Sequence, residues 1–301
     1  MRARKILLDS LGAAMADEWI DRTRRPYVSG DTAYVPVKEG YPADTELDER
    51  KPYSGRGYQM IGDIAVFHGK KPSAEELETV VGWKNPRAVL YISDYRDVMR
   101  LPQAETLYGE SGDVIHREEG CSFILDPSKV MFAQGNREEK KRMAGAVSAA
   151  EDGERVADMF AGIGYFTIPM AGAGASVHAM ELNPVSLGYL EKNVRANKLS
   201  GKVSADLGDC RDLLKGEYDR AVMGHFDAHE MIGEILPHMK RGGTIHVHAI
   251  DFGDEGVTGR GNEKIISTAG EYGFSVKTIK ARRVKKYSPG SWHTVQDVML
   301  E

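Results

Sequence analysis

Cysteine is nearly missing. Cys121 and Cys210 stand far apart with no CxxC, which excludes a disulfide scaffold and a four-cysteine zinc site and fits a reducing compartment. No stretch approaches the ~18 consecutive apolar residues of a membrane helix, and residues 1–10 (MRARKILLDS) start basic but carry too short an apolar segment for a secretory signal. A soluble, cytoplasmic protein without a membrane partner is expected. Positive charge is not in excess either. Forty Lys plus Arg meet forty-five Asp plus Glu, a net charge of −5, so any nucleic-acid surface must be local. There is no internal repeat, no low-complexity tract and no HExxH. What is present is length: 301 residues, against roughly 100–150 for a common domain, give material for about two domains.

Residues 1–55 read as an irregular N-terminal segment. One amphipathic helix is expected over residues 6–22, followed by SGDTAYVPVKEGYPADTELDERKPYSGRG, which Pro and Gly punctuate too often for long elements. At Tyr58 the texture changes. YQMIGDIAVFHG reads as strand, Ser73 three residues before Glu76 forms a capping box that opens a helix in SAEELETVV, and residues 88–93 and 121–126 read as further strands. Residues 56–135 are therefore expected to form a small α+β domain. NREEKKRMAGAVSAA (residues 136–150) is strongly helical in propensity, and from Glu154 strand, glycine turn and helix alternate to the C-terminus. Residues 136–301 are expected to be a doubly wound, Rossmann-like α/β domain.

ERVADMFAGIGYFTIPMA (residues 154–171) is a strand ending at Asp158, a turn with Gly162 and Gly164, and a helix. Glycines at such a turn let the backbone approach a ligand, and the helix N-terminus favours negative groups. The third glycine of a dinucleotide fingerprint is missing, and a lone GxG is also an ordinary tight turn. About twenty residues on, the apolar strand in ASVHAMELNP ends in Glu181, where a doubly wound sheet places the acid that binds a ribose hydroxyl pair. The helix VSLGYLEKNVRANKL follows, with Leu187, Leu190, Val194 and Leu199 on one face, and a third strand carries Asp209 at its C-terminal end. Acids after three successive strands, without the pyrophosphate-cradling fingerprint, favour S-adenosylmethionine over a nicotinamide dinucleotide.

DMFAGIGYFTIPMA and MELNPVSLGYLEKNVRANKL resemble the methyltransferase-like domain of the Met-10+ family, which two tRNA enzymes acting beside the anticodon share: a guanine-N1 methyltransferase and the wybutosine-synthesising aminocarboxypropyltransferase. The resemblance runs from about Tyr58 to the end. Three features separate the siblings. Tyr165 stands where the methyltransferases usually have Pro, MGHF within DRAVMGHFDAHEMI stands where they carry an Asn-Pro-Pro type motif, and VKKYSPGSWH (residues 284–293) is similar to the C-terminal signature of the aminocarboxypropyltransferase.

That resemblance implies transfer of the 3-amino-3-carboxypropyl group of S-adenosylmethionine to a carbon of 4-demethylwyosine, with methylthioadenosine leaving. No protein nucleophile or other catalytic side chain is implied, because the sulfonium is already activated and positioning supplies the rate. The alternatives are guanine-N1 methylation and a non-catalytic RNA-binding protein with a vestigial cofactor fold. Around the cofactor the resemblance places Asp158, Phe160, Gly162, Gly164, Tyr165, Glu181, Leu182, Asp209 and Cys210. In LDPSKVMFAQGNREEKKRM, Ala133 and Lys140 stand where relatives have a Ser and an Arg that contact the cofactor. Lys140 can offer charge to the cofactor carboxylate, as a point charge rather than a fork; Ala133 donates nothing, and Gln134, Asn136 and Arg142 are the candidate replacements.

His225 and His229 have helical i, i+4 spacing, yet a zinc site needs a further oriented ligand, and no metal is expected. His246 and His248 alternate along the strand TIHVHAIDF and read as satisfied strand residues near a cleft. KTIKARRVKKY concentrates Lys277, Lys280, Arg282, Arg283, Lys285 and Lys286 beside Tyr287 and Trp292 in an otherwise acidic chain. The bland reading is a solvated charged strand. The sharper one is a surface that tracks tRNA phosphates and stacks bases, with Arg282, Arg283, Lys285 and Lys286 as its contacts. The partner would be the anticodon-loop region of tRNA, bound by a monomer.

Overall fold

A computed structural model describes residues 1–47, 55–148, 153–253 and 261–301. The chain divides into two compact units, Met1–Gly55 and Arg56–Glu301. In the first, strands β1 (Arg2–Leu7), β2 (Tyr27–Ser29), β3 (Thr32–Pro36) and β4 (Thr45–Glu46) pair in the order β2-β3-β1-β4, and helix α1 (Leu11–Ala14) is a single turn. This corrects both expectations for the segment: it is a sheet, and no long helix spans residues 6–22. Ile6 instead pairs with Ala33 in an antiparallel ladder over a small core of Ala33, Val35 and Ile20. Pairing with a strand more than twenty residues away overrides a local amphipathic pattern.

The second unit begins with β5 (Gln59–Ile61), β6 (Ile64–His68), helix α2 (Ala74–Lys84), β7 (Ala88–Arg96) and β8 (Leu101–Gly109), forming the sheet β5-β6-β7-β8. The capping box is present: the Glu76 amide donates to Ser73 Oγ, and the Glu76 carboxylate accepts from the Ser73 amide. Strands β9 (Val114–Glu118) and β10 (Cys121–Leu125) form a hairpin. Helix α3 (Arg137–Ser148) leads into the alternating region; Ala149 and Ala150, like residues 48–54 of the turn-rich run, lie outside the described residues.

There the elements are β11 (Arg155–Asp158), α4 (Thr167–Gly172), β12 (Ser176–Glu181), α5 (Pro184–Ala196), β13 (Val203–Leu207), α6 (Cys210–Leu213), β14 (Tyr218–Met223), α7 (Ile232–Ile235), β15 (Met239–Phe252), α8 (Asn262–Glu271), β16 (Val276–Ser288) and β17 (Ser291–Leu300). The sheet order is β13-β12-β11-β14-β15-β17-β16, the first five parallel and β17 antiparallel to both neighbours. Strand β12 is buried along Val177–Met180, as a sheet covered on both faces requires. Helix α5 starts at Asn183, whose side chain accepts from the Val185 and Ser186 amides, with Pro184 at the first helical position. Its expected apolar face exists: Leu190 and Val194 are buried and Leu187 and Leu199 pack beside them. One apolar core runs across residue 136, joining Ile61, Ile64 and Leu90 to Val156, Ala179 and Leu190.

After β11 the chain moves to β12 on one side, whereas β14 lies on the other. The crevice outside the carboxyl ends of these strands is the place where such sheets hold ligands.

Candidate functional site

Two glycines shape the turn between β11 and α4. Gly162 has φ +57 and Gly164 φ +101; a Cβ on the first would stand 2.6 Å from the Tyr165 ring, and on the second 2.8 Å from Ile168 and 2.9 Å from Leu190. Only glycine meets both the left-handed backbone and the packing. The turn is tied to the end of β12, because the Gly162 amide donates to Glu181 Oε2 at 2.7 Å and the Asn183 amide to Oε1 at 2.8 Å. Burial pushes the Glu181 carboxyl up and these amides oppose it. Each carboxylate oxygen keeps a lone pair for a further donor.

Asp158, at the end of β11, is completely buried. Its Oδ2 accepts from the Thr167 hydroxyl at 2.7 Å, its Oδ1 has no hydrogen-bond partner among the described residues, and burial pushes the carboxyl up to about 6. It anchors the turn from within. The third strand-end acid stands two residues beyond β13, where Asp209 caps α6 and grips the Arg211 guanidinium at 2.9 and 2.6 Å; that hydrogen bonding holds its carboxyl down at about 2. Cys210 beside it is buried, and burial pushes its thiol up to about 11. Phe160 packs at 5.5 Å on the imidazole of His225, and Leu182 is exposed beside Glu181.

The segment before α3 folds onto this turn. The Tyr165 hydroxyl donates to the Met131 carbonyl, and its ring lies 5.8 Å from Phe132. Tyr165 thus joins the glycine turn to the segment before α3, while Phe166 packs at 5.3 Å on His248. Ala133 is half-buried in the same segment. Lys140 departs from expectation. It is 2% exposed, donates to Glu118 Oε1 at 2.8 Å, and lies 4.8 Å from the centre of the Phe132 ring. Lys140 and Glu118 also line a cavity of ≈ 390 Å³ with Cys121, Phe123, Ala144 and Pro169, to which none of the strand-end acids contributes. Arg142, a candidate replacement, is committed as well, to Glu139 and to Asp297. The Gln134 side chain lies outside those described.

The family described as the TRM5/TYW2 methyltransferase domain matches residues 114–277. The chain is 37% identical over 252 residues to the tRNA(Phe) (4-demethylwyosine(37)-C(7)) aminocarboxypropyltransferase of Methanocaldococcus jannaschii, covering 82% of this chain and 99% of that one. The chain belongs to the TRM5/TYW2 family. The solved structure of M. jannaschii TYW2 in complex with AdoMet is similar with a TM-score of 0.66 at 34% identity, over 81% of this chain and 99% of that one. The structure of Trm5b from Pyrococcus abyssi is similar with a TM-score of 0.74 at 27% identity, over 99% of each chain.

S-adenosylmethionine is the cofactor of this TRM5/TYW2 chain, and the local geometry fits it. The turn at Gly162 lies against Glu181, which has acceptor capacity to spare, and Phe160, Leu182 and Tyr165 are the apolar side chains of the same two stretches.

Elsewhere the structure redistributes the expected residues. His225 and His229 do not share a helix: His225 lies in the loop after β14 and His229 in a 3₁₀ turn. Among the described residues no group of three or more His, Cys, Asp or Glu could hold a metal, and no helix is long and apolar enough to cross a membrane. His248 and His293 lie 2.8 Å apart, both buried and held near 3 by that burial, hence neutral. The basic run is strand β16, at the sheet edge, and its cations part company. Arg282 donates to Asp297 at 2.6 Å, Arg283 lies 4.3 Å over the Trp292 ring with Lys286 at 6.0 Å, Lys277 faces Glu301, and Lys285 turns inward against Gly135.

Sequence reading missed Asn193. Buried in α5, it accepts from the Ile124 amide at 2.6 Å and donates to the Ile163 carbonyl at 2.9 Å, so one amide joins the cofactor turn to strand β10. An Asn inside a helical pattern is the signal that could have exposed it, since such a residue is costly there without partners.

Proposed function

We propose that the protein transfers the 3-amino-3-carboxypropyl group of S-adenosylmethionine to C7 of 4-demethylwyosine beside the tRNA anticodon. The observation that carries this reading is a contact. Phe226 of the MGHF loop packs edge-on against Tyr287 at 5.3 Å and His293 at 5.0 Å, so the two stretches that separate this sequence from the guanine methyltransferases meet at the carboxyl end of the sheet. An aromatic surface of Phe226 and Tyr287 there, backed by the buried His293 imidazole and in place of an Asn-Pro-Pro loop, suits a flat tricyclic base.

S-adenosylmethionine would supply an activated γ-carbon; the bond from C7 to that carbon forms as the carbon–sulfonium bond breaks, methylthioadenosine leaves with the electron pair, and the C7 proton passes to water, restoring the aromatic ring. The chain's own work is placement. Glu181 receives the ribose hydroxyls, Asp209 with Cys210 borders the adenine, Gly162 and Gly164 give the turn beside the cofactor its left-handed bend and tight packing, and Phe160, Leu182 and Tyr165 exclude water. Residues 136–301 carry this site, residues 56–135 brace it, and the exposed cations of β16 track the RNA backbone. We assign the protein to the cytoplasm as a monomer acting on the anticodon loop.

Incubation of tRNA bearing 4-demethylwyosine with S-adenosylmethionine labelled separately on the methyl and on the carboxyl group tests the reading. Carboxyl label is expected in the RNA and methyl label in methylthioadenosine. Methyl label in the RNA would make the protein a guanine-N1 methyltransferase, and no cofactor binding by calorimetry would leave a non-catalytic RNA-binding protein.

A further inference from the structure

Strand β16 carries a cation turned inward that has no counter-ion among the described residues. Register shifts between Arg283 and Lys285 against β17, and this irregularity brings Lys285 opposite His293 with its side chain directed at the turn before α3. There the approach is so close that a Cβ on Gly135 would stand 2.8 Å from Lys285 Nζ and 2.9 Å from its Cδ. Among the described residues the Lys285 ammonium has no carboxylate and no hydrogen-bond acceptor, and its one charged influence beyond burial is the Lys140 ammonium. Burial and that like charge hold it below the ordinary lysine range.

The neighbouring cations are already matched. Lys140 is neutralised by Glu118, and Arg142 by Glu139 and Asp297. A half-buried ammonium with a like charge nearby and no anion is held at a cost, which an arriving anion relieves by a charge-assisted hydrogen bond. The place it faces adjoins the glycine turn: Gly135 belongs to the segment whose Met131 carbonyl accepts from Tyr165, the residue after Gly164.

We infer that Lys285 binds the carboxylate of the cofactor's methionine arm, the role that Lys140 leaves vacant by pairing with Glu118, and that position 135 is glycine so that the ammonium can reach it. This rests on S-adenosylmethionine being the cofactor. The consequence is selectivity: an arm anchored by its carboxylate presents the γ-carbon in a defined direction.

Calorimetry separates the possibilities, with S-adenosylmethionine and methylthioadenosine, which lacks the carboxylate, titrated into the full chain, Lys285→Gln and Lys285→Arg. Lys285→Gln should weaken S-adenosylmethionine about tenfold, the loss expected for one charged hydrogen bond, leave methylthioadenosine within roughly twofold, and Lys285→Arg should recover most of the loss. Gly135→Ala, which displaces the ammonium without removing it, should reproduce the pattern of Lys285→Gln. Equal loss for both ligands would make Lys285 a structural residue and overturn the assignment, as would unchanged S-adenosylmethionine affinity. Unchanged cofactor affinity with a shallower salt dependence of tRNA binding would give the ammonium to an RNA phosphate instead. Wild-type protein that binds neither small molecule would overturn the cofactor reading itself.

Discussion

Arg142 and Asp297 meet fork to fork: Nη1 and Nη2 of the guanidinium donate to the two carboxylate oxygens at 2.9 and 3.0 Å, fastening α3 to the last strand. The same carboxylate accepts from Arg282 and from His246, whose other ring nitrogen meets Arg220, itself paired with Glu154. Asp297→Ala leaves the Arg282 guanidinium without its carboxylate and Arg142 with Glu139 alone, and a loss of about 3 kcal/mol is expected from urea unfolding. Burial alone would raise the Asp297 carboxyl, but His246, Arg142 and Arg282 overcome it and hold it well below the usual carboxylate range. The stability it contributes is therefore present above pH ~4 and lost as acid protonates it, so the wild-type advantage over Asp297→Ala should shrink toward pH 3. A constant difference across that range would exclude the charge as its source.

Asp158 behaves with the opposite sign. Its folded carboxyl titrates at about 6 against 3.8 for an unperturbed one, because it is buried. Between those values the folded state holds more protons than the unfolded, so stability falls as pH rises from ~4 to ~6 and stays lower above. At ~1.4 kcal/mol per pH unit the penalty at pH 7 reaches about 3 kcal/mol. Asp158→Asn keeps an acceptor for Thr167 and removes the titration. Guanidinium unfolding at pH 4.5 and 7.5 should show wild type losing stability relative to this variant at the higher pH; parallel behaviour of the two proteins would refute the buried-acid account.

Glu181 holds the turn and is assigned the ribose. Glu181→Gln retains one acceptor oxygen for the Gly162 and Asn183 amides and turns the other position into a donor. S-adenosylmethionine affinity should fall at least ~10-fold by calorimetry, while thermal unfolding shows a folded protein destabilised by about 1–2 kcal/mol. Unaltered affinity would remove Glu181 from the site.

The basic strand divides by exposure. Lys280, Arg283 and Lys286 are exposed, whereas Arg282 is paired and Lys285 faces Gly135. Charge reversal at Lys280, Arg283 and Lys286 should raise the tRNA dissociation constant and lower the salt slope by about one for each phosphate left without its cation. Cofactor affinity is the control and should not change. If the slope is unaffected, these cations form a solvated face.

The alternation of strand, glycine turn and helix from Glu154, the capping box at Ser73, the buried stripe of α5 and the acids at successive strand ends were legible in the sequence, because each rests on residues a few positions apart. Periodicity of 2 or 3.6, turn glycines and caps are local properties, and the family resemblance rides on the same local runs. Residues 6–22 were misread for the complementary reason. Ile6 finds its partner in Ala33, and a strand is defined by a neighbour that the local pattern does not contain.

What the tertiary structure alone decided is the fate of each charge. Lys140, Arg142, Arg282 and Lys285 look interchangeable as donors to a cofactor or an RNA. Glu118 lies 22 positions from Lys140 and Asp297 lies 155 from Arg142, and only the folded arrangement brings those partners within hydrogen-bond distance. A cation's role depends on which anion the fold delivers at about 3 Å and how much water it removes, since both set the strength of the pair. Among the described residues three of the four cations are thereby neutralised and Lys285 is not, a distinction settled by strand register and helix placement rather than by residue type.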